Sequence, residues 1–170
     1  MRENLKKNLT AKQNNYLKQK KMNNQINTIL SFKIRDNVFA LDALQVIHIL
    51  EVPDEITHVP NTQNFMTGVI NHQGNIIPVV DMRVLMEEEI GEKSKENSII
   101  IINPTHANDI KFGIYVDMIS EVIEIKPEEL KETVMDSKKG MIDSYEGTIL
   151  YKGTFIHVID IKHLSEIIDK

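Results

Sequence analysis

At 170 residues the chain has room for one domain or two small subdomains, and the absence of cysteine excludes a disulfide framework and any thiolate metal site. The formal net charge of −5 hides an asymmetry: residues 1–25 carry Arg2, Lys6, Lys7, Lys12, Lys18, Lys20 and Lys21 against Glu3 alone, so they sum to +6 and the remainder to −11, a sign that disfavours nucleic-acid binding by the folded part. No apolar run approaches the ~18 residues that span a bilayer, and the N-terminus lacks a hydrophobic signal core.

Residues 1–26 read as a basic, flexible arm, rich in Asn, Gln and Lys and poor in apolar side chains. Leu5, Leu9 and Tyr16 could line one helical face of it. The body then reads as short strands. Residues 28–34 alternate, Asp36-Asn37 turns, and residues 38–41 return, which makes a hairpin. Residues 42–44 fit a single helical turn. Residues 46–52 form a third strand stopped by Pro53, and residues 56–59 a fourth stopped by Pro60. A hairpin over residues 68–81 follows, with a short helix at 82–86. The polar stretch 87–97 is a surface link. Residues 98–103 and 110–116 pair next, residues 121–125 form a strand ended by Pro127, and a terminal helix covers 161–168.

The chain repeats itself. A shift of 79 positions lays residues 147–164 on residues 68–85, matching Gly68 with Gly147, Gly74 with Gly153, Ile77 with Ile156, Asp81 with Asp160 and Leu85 with Leu164 without a gap. Outside the hairpin, Phe39-Ala-Leu anticipates Phe112-Gly-Ile, and Val46-Ile-His-Ile anticipates Val122-Ile-Glu-Ile. Short strands broken by Pro and Gly argue for an all-β fold with minor helix: two SH3-like five-stranded barrel subdomains sharing an apolar interface. The expected subdomains run from about 27 to 90 and from 98 to 160, within a domain of 27–170.

Chemistry is sparse. There is no phosphate-cradling glycine loop, no G-x-S-x-G elbow and no H-E-x-x-H. Asp81 and Asp160, one from each copy, invite comparison with a two-lobed aspartyl dyad, but Met82-Arg83 and Ile161-Lys162 crowd the space that the carboxylates would need. Capping of the following helix is the better reading of both. The six histidines show no ligand-like close pair, so no metal site is expected. What remains is a binding module.

At this point the residues resemble a family. Phe39-Ala-Leu, Val46-Ile, Thr57-x-Val59-Pro60 and Gly68-Val-Ile-Asn71-x-x-Gly74-x-Ile-Ile-Pro78-Val-Val-Asp81-x-Arg83 look like a CheW-like chemotaxis coupling protein, and Gly113-Ile-x-Val116-Asp117-x-Ile119-x-x-Val122 continues the pattern. The resemblance implies a cytoplasmic, non-enzymatic scaffold without a cofactor, placed at receptor arrays under the inner membrane without being inserted in it. Its implied partners are the cytoplasmic helical tip of methyl-accepting chemoreceptors and the regulatory domain of a CheA-type histidine kinase. Val46, Gly113, Ile119 and Val122 match the receptor-facing seam, and Phe65, Met66 and Gly68 the kinase-facing corner. Such proteins usually carry Asn-Leu-Arg-Gly at the hairpin and a Glu on the third strand. Here Gln73 and His48 stand at the two charged positions, so the resemblance implies a neutral His48–Gln73 pair within the receptor surface and a shifted partner preference. A divergent paralogue, sensing a small ligand outside the standard array, is the alternative.

Overall fold

The computed structural model describes residues 26–104, 110–134 and 140–169; of the arm expected over residues 1–26, residues 1–25 lie outside them, and Ile26 packs against the body. β1 (Thr28–Ile34) and β2 (Asn37–Asp42) form the first hairpin, and the turn falls on Arg35-Asp36, one residue earlier than expected, with Arg35 at φ 55°. Asp42 then caps one 3-10 turn, Ala43–Gln45, accepting from Leu44 N at 3.0 Å. β3 (Val46–Glu51) follows. The fourth expected strand, residues 56–59, does not form. Only Thr57 finds a strand partner there, bridging Val69, because the segment between Pro53 and Pro60 is too short and too polar to sustain a ladder.

β4 (Met66–His72) and β5 (Asn75–Asp81) make the expected second hairpin and lead into α1 (Met82–Leu85). After the polar link come β6 (Ser98–Ile102), β7 (Phe112–Val116) and β8 (Met118–Glu124), which begins three residues earlier than the sequence pattern indicated. A 3-10 turn at Pro127–Glu129 precedes β9 (Tyr145–Tyr151), β10 (Thr154–Ile159) and α2 (Ile161–Asp169).

The repeat is visible in backbone detail. Both long hairpins turn on two residues of positive φ, Gln73 (50°) and Gly74 (82°) in one, Lys152 (48°) and Gly153 (77°) in the other, the conformation whose twist suits adjoining strands. Gly68 and Gly147, at φ 151° and 153°, also have one task in common. A Cβ on Gly68 would run into the carbonyl oxygen of Thr57, and one on Gly147 into that of Lys131. The neighbouring residues Val69 and Thr148 bridge to those same two crossing segments.

The pairing makes two five-stranded sheets, β8-β1-β2-β10-β9 and β3-β6-β7-β5-β4. Among the described residues no ladder joins the outer strands of either sheet, so neither closes by hydrogen bonds into a ring. Strand for strand the two orders correspond, but each sheet draws on both halves of the chain. The hairpin β1–β2 sits between strands of the second half, and β6–β7 between strands of the first. A cut between residues 90 and 98 therefore separates the sequence repeats without separating the sheets.

Alternation divides each strand between two cores. Leu30, Phe32 and Ile34 face the cluster shared by the two sheets, as do Phe39, Leu41, Ile100, Ile102, Phe112 and Ile114. Ile29, Ala40, Ile156 and Val158 fill the first sheet's own cluster, and Val79, Ile99, Ile101 and Tyr115 the second's. Residues 99–102 are apolar without a break because both faces of β6 are buried. Phe32, Phe65 and Phe112 are fully buried in the shared cluster, each contributing roughly 1.5–3 kcal/mol. Leu164 of α2 closes one side of it.

Candidate functional site

The charged residues of the motif serve structure. Asp81 caps α1 through Arg83 N (2.9 Å), and its carboxylate also receives the Arg83 fork, Nε at 3.0 Å and Nη2 at 2.8 Å, with both residues buried. Arg83 lies 4.4 Å from the Tyr115 ring centroid and 3.5 Å from Asp117 Oδ1. Tyr115 donates to Asn97 Oδ1 (3.0 Å), and Asn97 donates in turn to the Asp117 carbonyl (3.0 Å). Burial works against the Arg83 charge, but hydrogen bonding to Asp81 and the surrounding negative charge outweigh it and hold the guanidinium protonated. Asp160, just past β10 of the other sheet, caps α2 through His163 N at 3.2 Å and accepts from Ser144 Oγ at 3.2 Å. Both aspartates act as helix caps, Asp81 ending β5 and Asp160 just past β10, in different sheets.

Two of the four seam residues border the shared core, and a third lies in register with one of its members. Val46 and Ile119 pack against it half-buried. Val122 lies in register with Leu30, which is in register with Leu41 on the next strand, and remains 63% exposed. The 3-10 turn that follows β2 sets Leu44, 76% exposed, before Val46. Leu44, Val46, Ile119 and Val122 are thus a set of half-buried or exposed apolar residues on or beside the outermost strands β3 and β8. Gly113 does not join it. A Cβ there would point at Ile99 and Val79, inside the second sheet's own cluster.

At the other corner Phe65 is buried in the shared core and presents no surface. Met66 is half-buried and borders a hollow of about 280 Å³ with Pro78, Ile110 and Phe112, beside the 65% exposed Ile110. Gly68 gives passage to the Thr57 segment.

The pair expected between His48 and Gln73 is not formed. Gln73 occupies the turn, exposed, and no hydrogen bond joins it to His48 among the described residues. His48 instead meets His72, ring centroids 4.6 Å apart and edge-on at 63°. Sequence spacing, which offered no ligand-like close pair of histidines, did not show this ring contact. The signal was in the alternation: His72 is the last strand residue before the turn, the place Tyr151 holds in the second copy.

A second feature escaped the sequence. His157 bonds Thr148 Oγ1 through Nδ1 (2.8 Å), lies near the rings of Phe39 and Tyr145, and is kept below its ordinary pKa by burial. It lines an open cavity of about 620 Å³ with Val134, Leu150 and Phe155.

Two interlaced sheets whose motif aspartates serve as helix caps, with apolar residues left open on their outer strands, fit a scaffold domain. The comparisons give the family. Residues 28–168 match the CheW-like domain, and the chain belongs to that family. It is 32% identical to a chemotaxis protein CheW of Thermotoga maritima over 138 residues, covering 81% of this chain and 87% of that one. The CheW of Bacillus subtilis is 28% identical, covering 78% and 82%. The crystal structure of the scaffolding protein TtCheW from Thermoanaerobacter tengcongensis superposes with a TM-score of 0.69 at 29% identity, covering 79% of this chain and 88% of that one.

Proposed function

We propose that this chain is a non-enzymatic adaptor that couples methyl-accepting chemoreceptors to a CheA-type histidine kinase at the cytoplasmic face of a receptor array. The carrying observation is that Leu44, Val46, Ile119 and Val122 are left half-buried or exposed on or beside the outer strands β3 and β8, and this reading takes them as one apolar strip. An amphipathic helix, such as a receptor tip, buries anchors at i, i+3 and i+4 spacing in such a strip. Met66 with the adjoining Ile110 is the kinase-facing surface in this reading, while Phe65 and Gly68 hold the corner in shape from within. His48 and Gln73 flank the receptor side and tune partner choice rather than pairing with each other.

The test is complementation of a strain lacking its coupling protein, joined to pull-down of receptor and kinase regulatory domain. Wild-type chain restores swimming in a gradient. Val122→Glu loses receptor capture by about tenfold or more while retaining the kinase domain. Equal loss of both partners, or none of either, removes the assignment.

The cavity beside His157 favours one second reading, a paralogue that senses a small apolar ligand. A ligand-dependent rise in melting temperature, with no capture of the kinase domain at micromolar concentration, distinguishes it.

A further inference from the structure

We infer that His48 and His72 form a two-imidazole site for a divalent transition metal of the zinc, copper or nickel type. β3 and β4 are the outermost strands of their sheet, four places apart in its order, yet they bring these two rings into contact at 4.6 Å. The contact leaves one nitrogen unanswered. His72 Nε2 is shielded from solvent and has no hydrogen-bond partner. A buried ring nitrogen without a partner is an unfavourable end state for the free protein, and it is the atom a borderline metal ion takes from neutral imidazole.

His48 supplies the second ligand. Its side chain is exposed and on an edge strand, so it can turn to present a ring nitrogen without disturbing the core. Among the described residues no three His, Cys, Asp or Glu converge, so the remaining coordination positions fall to water or to a side chain of a docked partner. The ion would join the two edges that backbone hydrogen bonds leave unjoined. Occupancy therefore stabilises the second sheet. It also lies along the strand that begins with Val46.

The experiment uses the full chain without a histidine tag. Addition of about 100 μM Zn²⁺ raises Tm by roughly 2 °C or more. Cu²⁺ gives an electron paramagnetic resonance spectrum with superhyperfine structure from two nitrogens. His48→Gln, at an exposed position that leaves the fold intact, abolishes the Tm rise and weakens Cu²⁺ binding at least tenfold, and His58→Gln leaves both unchanged. A Tm rise that survives His48→Gln, a dependence on His58, or no rise in the wild-type chain overturns the assignment.

Discussion

Arg83 shows how much of a motif's chemistry is hidden until the chain folds. Asp81 as a helix cap was legible from its place after a strand and before a helical turn. The fork it receives from Arg83, and the run through Asp117, Tyr115 and Asn97, was not, because those partners arrive from β7, the bend after it and the polar link. Removing one member strands a buried charge, so Arg83→Met lowers stability by about 3–5 kcal/mol in denaturant melts. The double change Asp81→Asn with Arg83→Met recovers part of that loss, and Arg83→Lys does not, since an ammonium cannot make the two-pronged contact. His157 gives the molecule a pH dependence. Its folded pKa lies below the ordinary 6.5, so the unfolded chain binds more protons across the interval between the two values. Stability contributed by the neutral ring is complete above 6.5 and falls as pH drops through it. Thermal melts at several pH values check this, and His157→Gln flattens that part of the profile.

At the level of elements, the hairpins were the most legible part of the chain, because two-residue turns advertise themselves through local chemistry. Gln73-Gly74 and Lys152-Gly153 turn as their sequences indicate. The segment at 56–59 misled because Ile56 and Val59 resemble a strand locally, while its geometry is set by the backbone of Gly68. The paired glycines therefore have different costs. Gly68→Ala and Gly147→Ala each meet a carbonyl oxygen as well as an unfavourable φ, and each lowers stability by about 2 kcal/mol or more. Gly74→Ala meets nothing in space and costs about 1 kcal/mol for its φ alone. Chemical denaturation of the three variants gives that order, and equal losses contradict it. His48 against His72, rather than Gln73, has the same origin: the turn takes Gln73 and leaves His72 on the strand.

For the whole molecule, the duplication was plain in the sequence and the exchange of hairpins between its halves was not. Apolar patterning reports that a strand is buried on both faces, and nothing in it says which half supplies the neighbour. The shared cluster takes side chains from both repeats, so neither repeat alone can assemble either sheet. Residues 1–97 and 98–170, produced separately, are each expected to give collapsed NMR spectra, and mixing them restores dispersed signals. Well-dispersed spectra from either fragment alone contradict the interlacing. The same weave orders events on the ribosome. β3 to β7 can pair once residue 116 has emerged, and β1 finds β8 soon after, but β2 waits for β10. Leu30, Phe32 and Leu41 can then pack against the second sheet, but Ile29 and Ala40 stay partly uncovered until Ile149, Ile156 and Val158 arrive, so a chain stopped before residue 149 leaves the first sheet without most of its own core.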